Sequence, residues 1–209
     1  MTQEVIFYTH PMSRGCTIRW VLEEIGQPYQ TQLLEYGTTM KAPEFLNINP
    51  VGKVPAISHQ NTIVTETAAI CAYLADAFPD AHLAPLPNDP KRGAYYRWLF
   101  FASGPLEMGM TNQQMGFNVT EEQKKMVGYG QVDEMLTILE TRLAQNTYLL
   151  GSQFTVADIY VGSFLGWAMY TEMIHKPDVF VRYYETLQAR PAAIRAKDID
   201  DRLWAQMSS

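Results

Sequence analysis

The chain has 209 residues, of which 47% are hydrophobic, and a net charge of −6 with no basic run. That is enough apolar material for one large domain or two small ones, and the charge argues against nucleic acid or an anionic membrane surface as a partner. No basic and apolar leader opens the chain, no apolar run reaches membrane-spanning length, and Cys16 and Cys71 alone make no disulfide or metal framework, so a cytoplasmic protein without a metal is expected.

Val5 to Thr9 is apolar and β-rich, and reads as a buried strand. His10-Pro11-Met12 breaks it, and Ser13 is placed to cap a helix in which Ile18, Val21, Leu22 and Ile25 recur at helical spacing until Gly26 stops it. A second strand is expected over Gln30 to Leu34 and a short irregular helix over Met40 to Asn47. Asn49-Pro50-Val51-Gly52 is turn chemistry. Lys53 to Ile57 then reads as a strand entered through Pro55, which cannot donate to a sheet ladder. The Val54-Pro55 bond is expected to be cis, leaving the Val54 N–H and C=O to pair with an extended peptide as an added strand does. Ser58 to Asn61 closes a hairpin onto Thr62 to Thr65, and Glu66-Thr67 opens a helix from Ala68 to Ala77. The order β-α-β-α-β-β-α describes a small α/β unit with a parallel first crossover.

Phe78 to Pro90 carries four prolines and reads as a linker. All that follows reads as helix. Lys91 to about Gly116 crowds Tyr95, Tyr96, Trp98, Phe100, Phe101, Met108, Met110 and Met115 into more apolar surface than one face can bury, and the surplus suits an apolar ligand cleft. Glu121 to Ala144 is amphipathic. Thr155 and Asp158 make a capping box before a helix, Val156 to about Thr171, that is apolar nearly all round and therefore central. Pro177 and Pro191 punctuate two last helices, and Trp204 packs the tail back. The expected fold class is α/β plus all-α, divided as 1–78, a linker at 79–90, and a helical part at 91–209.

Two places suit chemistry. The start of the Glu66-Thr67 helix offers N–H groups and a positive dipole end to a carboxylate, next to the strand edge at Val54. Ser13, at the start of the first helix, looks like the first position of a C-x-x-C redox site with its first Cys replaced. A nucleophilic thiol would then come from the ligand, and the Ser13 hydroxyl would donate to its thiolate; as a plain cap Ser13 needs no ligand at all. Cys16 reads as a small packed residue, Arg19 as one half of a structural ion pair, and His10 as a loop residue without triad partners.

With these residues in view, the chain resembles the cytosolic glutathione transferases over essentially its whole length, and among them the bacterial serine-type (theta/beta-like) members. Val54-Pro55-Ala56-Ile57 is similar to their cis-proline segment, Glu66-Thr67 to their Glu-Ser/Thr pair, Asn49 to Lys53 to their N-P-x-G-K approach, and Phe154 to Asp158 to their helix-capping motif. The resemblance implies a thioredoxin-like domain followed by an all-helical one, glutathione as co-substrate, a small hydrophobic electrophile, and a homodimer. It implies Ser13 as catalytic residue, with Arg14, Lys41, Lys53, Val54, Pro55, Glu66, Thr67 and Ser103 on the glutathione side. Met12, Phe101 and Met108 fall to the electrophile pocket. Loop length leaves open whether Met12 or Ser13 holds the activating position; with Met12 there, the N–H groups of Ser13 and Arg14 would take over. Ser103 stands where bacterial relatives often carry an acidic residue. The implied activity is addition of the glutathione thiolate to the electrophile. The alternatives are a binding protein of the same fold with little catalysis, and a glutathione-dependent isomerase or thiol reductase.

Overall fold

The computed structural model describes residues 4–117 and 119–208. The chain forms two compact units: Met1–His82 together with Ala189–Ser209, and Leu83–Gln188.

In the first unit, strands β1 (Val5–Thr9), β2 (Tyr29–Leu33), β3 (Ala56–His59) and β4 (Thr62–Thr65) form one sheet in the order β2-β1-β3-β4. β1 and β2 are parallel, and the other two pairings are antiparallel. β1 buries Val5, Phe7 and Thr9, the alternation expected of a pleated strand. Helix α1 (Gly15–Ile25) ends at Gly26, whose left-handed φ of 70° lets its N–H reach the Leu22 carbonyl. A 3-10 turn at Thr39–Lys41 and a single helical turn, α2 (Pro43–Leu46), replace the irregular helix expected over Met40 to Asn47. β3 starts at Ala56 rather than Lys53, because Pro55 holds no N–H for the ladder. Gln60 and Asn61, both at positive φ, turn β3 into β4, the backbone that a two-residue hairpin favours. Helix α3 (Thr67–Ala77) closes the element order read from the sequence.

The last helix, α9 (Pro191–Met207), belongs to this unit and not to the helical part in which it was expected. It lies along α1. Its buried side is Ala192, Ala193 and Ala196, small enough for close approach. Charges line the seam. Arg19 Nε meets Asp200 Oδ1 at 2.6 Å with both side chains nearly out of solvent. Arg190 grips Glu24 with two hydrogen bonds, at 2.6 and 2.8 Å, and Arg195 meets Glu23 at 3.0 Å. Arg19 also donates to the Tyr29 and Thr31 hydroxyls and lies over the Phe7 ring. A buried pair of this kind contributes more to specificity of docking than to net stability.

In the second unit, α4 (Lys91–Phe101) runs through a π turn (Ala102–Leu106) into α5 (Glu107–Gln114). Pro105 inside the turn has no N–H to give the α-helical ladder, which accounts for the widened turn. Leu83 is buried and its carbonyl accepts the Val156 N–H, and the Pro85 carbonyl accepts from Arg92, so the proline-rich stretch is tied into this unit from Leu83 onward. The amphipathic helix expected from Glu121 begins only at Val132: α6 spans Val132–Ala144, after a 3-10 turn at Gln123–Lys125 and a break at Gly130, whose φ is 59°. α7 (Val156–Tyr170) is buried nearly all round, with the capping box in place. α8 (Asp178–Gln188) crosses it closely. A Cβ on Gly162 would stand 2.3 Å from Leu187, and one on Gly166 would stand 2.2 Å from the Tyr184 ring, so both positions need glycine to let the helices meet. Among the described residues no helix is long and apolar enough to cross a membrane.

Candidate functional site

The turn between β1 and α1 is tightly bonded within itself. A Cβ on Gly15 would collide with Thr9 Oγ1 at 1.9 Å, so only glycine lets the helix start this close to the strand. The Ser13 N–H and the Ser13 hydroxyl both donate to the His10 carbonyl, at 3.0 and 2.6 Å, and the Gly15 N–H donates to Ser13 Oγ at 2.9 Å. The Met12 N–H donates to His10 Nδ1 at 3.1 Å, which leaves the ring hydrogen on Nε2. Ser13 thus braces the turn just ahead of the helix N-cap, Arg14, through its contacts to His10 and Gly15. Its backbone N–H, one of the two expected there together with that of Arg14, is engaged as well. Arg14 is half-buried beside it. Met12 is exposed. Cys16 is exposed rather than packed.

Tyr36, on the loop after β2, folds back over this turn. Its ring lies 4.6 Å from that of His10, and Trp204 of α9 meets His10 from another side at 5.9 Å. The Tyr36 hydroxyl reaches the Met12 carbonyl at a long 3.4 Å. Partial burial pushes its phenol above the ordinary value, and the Ser13 hydroxyl close by pulls it partly back. Sequence reasoning missed Tyr36; the only signal was an aromatic residue before Gly37 in an otherwise polar loop.

The stretch from Asn49 to Thr67 is built as a support for backbone. Asn49 is buried, and its side chain accepts the Val51 N–H at 3.2 Å and donates to the Lys53 carbonyl at 2.8 Å, which fixes the loop from inside. This role of Asn49 also escaped the sequence. Gly52, at φ 62°, passes so close to Met40 and Lys41 that a Cβ would meet the Met40 carbonyl at 2.7 Å. Lys41 donates to the Val51 carbonyl at 2.9 Å, and Lys53 is exposed. The Val54-Pro55 peptide is cis, as expected. The Val54 side chain packs on a small core of Met40, Phe45 and Ala56, while among the described residues neither its N–H nor its C=O finds a hydrogen-bond partner.

Glu66 precedes α3 at φ 66° and ψ 118°, a conformation that a non-glycine residue adopts only when its surroundings impose it. It makes no side-chain cap bond, and its carbonyl takes the first intrahelical bond, from Ile70. The N–H groups of Thr67, Ala68 and Ala69 have no partner inside the helix, as at any helix start. An exposed carboxylate, a hydroxyl and a helix start thus stand together. That combination sets a negative charge beside hydrogen-bond donors and a positive dipole end. The first unit therefore brings Lys53, Val54, Pro55, Glu66 and Thr67 into one run of loop, strand edge and helix start.

Ser103, Phe101 and Met108 belong to the second unit. Ser103 lies half-buried in the π turn, Phe101 stands edge-on to Trp98 at 5.5 Å, and Met108 is exposed beyond the turn. The crowded run divides as its excess of apolar side chains implied. Tyr95, Trp98 and Met110 are buried, whereas Phe100, Met108 and Met115 are more than half exposed. Among the described residues no group of three or more His, Cys, Asp and Glu side chains is arranged to hold a metal ion.

The family model for the "Glutathione S-transferase, N-terminal domain" matches residues 3–76, and that for the "Glutathione S-transferase, C-terminal domain" matches residues 117–196. Glutathione S-transferase 1 of Schizosaccharomyces pombe is 32% identical over 164 residues, covering 73% of this chain and 69% of that protein. The solved structure of a glutathione transferase from Methylococcus capsulatus superposes with a TM-score of 0.77 at 29% identity, over 94% of this chain and 98% of that one. A probable elongation factor 1-gamma 2 of Arabidopsis thaliana is 30% identical over 168 residues, covering 75% of this chain and 40% of that protein.

Proposed function

The chain belongs to the glutathione S-transferase family, and on that premise we propose that it binds glutathione along Val54, Glu66 and Thr67 and adds the glutathione thiolate to a small hydrophobic electrophile. The observation that carries this reading is the unpartnered Val54 N–H and C=O beside the Glu66–Thr67 helix start. Glutathione is a peptide with a free amino-acid end. Its cysteinyl backbone pairs with Val54 as a short added strand, and its γ-glutamyl ammonium and carboxylate meet Glu66 and the start of α3. Lys41, Lys53 and Arg14 supply positive charge for the glycyl carboxylate. The thiol then comes to the turn before α1, where Ser13 keeps the backbone in shape. Binding holds the sulfur and the electrophile together, and proximity of this kind supplies a large part of the rate.

Met12, Phe101 and Met108 are our candidates for the electrophile side, and Ser103 for a further polar contact to glutathione. We assign the protein to cytoplasmic detoxifying conjugation, working as a two-fold homodimer, the commonest closed symmetry. The decisive experiment is calorimetric titration with glutathione followed by turnover on a panel of small electrophiles. Binding lost in Glu66→Gln and Thr67→Ala supports the reading, and absence of binding in the wild type sinks it. The likeness to a probable elongation factor 1-gamma 2 favours a second reading, in which the fold serves as a binding module. In that case glutathione binds without a thiolate absorbance and no electrophile is turned over.

A further inference from the structure

Four donors at the turn before α1 are already engaged. The Met12 and Ser13 N–H groups go to His10, the Ser13 hydroxyl goes to the His10 carbonyl, and the Gly15 N–H goes to Ser13. The Tyr36 hydroxyl is weakly held here: the Met12 carbonyl is 3.4 Å away, at the edge of hydrogen-bond range, and the Ser13 hydroxyl also lies close by. We propose that the Tyr36 hydroxyl, brought in by the loop after β2, is the O–H that donates to the glutathione thiolate. The inference rests on the glutathione reading above.

Three features make the loop suited to this. The Tyr36 ring lies against His10 at a tilt of 55°, with centroids 4.6 Å apart, so the hydroxyl sits on a support instead of swinging freely. His10 is itself buried, bonded to the Met12 N–H and flanked by Trp204. Burial raises the phenol above its ordinary value, so it stays protonated at neutral pH and acts as a donor. A thiolate is a better acceptor than a carbonyl at 3.4 Å, because a hydrogen bond to a charged partner is about twice as strong. On binding, the hydroxyl exchanges the Met12 carbonyl for the sulfur. The thiol proton leaves to solvent, and the phenol keeps its own.

The test is Tyr36→Phe, which keeps the ring on His10 and removes only the oxygen. The ultraviolet absorbance of bound thiolate is followed against pH for wild type and variant, with glutathione affinity measured by calorimetry at a pH where the thiol is protonated. The expected result is a bound thiol pKa higher by about one unit in the variant, with affinity for the thiol form unchanged. kcat near neutral pH then falls by less than the thiolate fraction, because the more basic thiolate is the better nucleophile. An unchanged thiol titration in Tyr36→Phe, in a protein whose wild type binds glutathione, overturns the inference and leaves the glutathione reading intact. A wild type that binds no glutathione overturns both.

Discussion

Asp158 is a heavily used side chain of the helical unit, and replacing it with Asn separates its charge from its shape. Its carboxylate accepts four donors: the Leu149 N–H at 2.8 Å and the Tyr183 hydroxyl at 2.9 Å on Oδ1, and the Thr155 N–H at 2.9 Å and the Thr155 hydroxyl at 3.2 Å on Oδ2. An amide offers one acceptor oxygen. Turned either way, its NH2 faces a backbone N–H, of Thr155 or of Leu149, while the neighbouring hydroxyl can rotate to accept. One buried N–H is left unpaired, at a cost of about 1–3 kcal/mol. We expect Asp158→Asn to lose about 2 kcal/mol near pH 8. Burial pushes the carboxyl from 3.8 up to about 6 in spite of its donors, so it is ionised there. Between roughly pH 4 and 6 the folded protein holds a proton that the unfolded chain has released, so wild-type stability from this group falls as pH rises. A rise of about two units at 1.36 kcal/mol each amounts to about 3 kcal/mol. The Asn variant lacks that slope, and its deficit should grow to about 5 kcal/mol near pH 4. Urea titrations of both proteins across pH, followed by circular dichroism, read this difference directly. A deficit that is constant with pH, or smaller than about 0.5 kcal/mol throughout, would refute the reasoning.

Other perturbations test other parts. Asp200→Ala leaves the buried Arg19 charge without its partner and should cost about 3 kcal/mol in denaturant titrations; Arg19→Met combined with Asp200→Leu should restore most of the loss, and failure to do so would mean the pair is not the cause. Gly166→Ala gains about 1 kcal/mol of helix propensity but pushes on the Tyr184 ring, an overpacking worth about 1–3 kcal/mol. A small net loss is expected, and a higher melting temperature would show that α7 and α8 do not meet this closely. Glu66→Gln should raise KM for glutathione more than it lowers kcat, because the γ-glutamyl end is remote from the sulfur; equal loss in both would place Glu66 in the chemistry. Light scattering at micromolar concentration should return a dimer mass, and a monomer mass rejects the proposed assembly.

Much of the fold was legible because it rests on local pattern. The apolar run Val5–Thr9, the helical spacing ended by Gly26, the proline before β3 and the capping box at Thr155 all carry their physics within a few residues. What escaped notice depends on residues distant in sequence. The period of Glu121 to Ala144 reads as one helix, yet the first part is broken near Gly130. Gly162 and Gly166 look like costs to a helix until α8 is laid against them. The backbone part of the site was visible in Asn49–Thr67 because turn, proline and helix start are each local signals. The contacts of Ser13 were not, since they depend on where the folded turn places His10 and Gly15.

The return of α9 to the first unit has a consequence for the order in which the molecule is completed. Residues 19, 23 and 24 find their charged partners at 200, 195 and 190, separations of 181, 172 and 166 residues along the chain. On a ribosome, the α/β unit therefore emerges early with Arg19 unmatched, and it stays so until nearly the whole helical unit has been made. Contacts this distant form late, because the loop that they close must be ordered first. The first unit is thus finished last, and a nascent chain stopped before residue 190 lacks the helix that covers α1. Loss of the tail would be felt at the start of the protein, on the face of α1 that carries Arg19, Glu23 and Glu24.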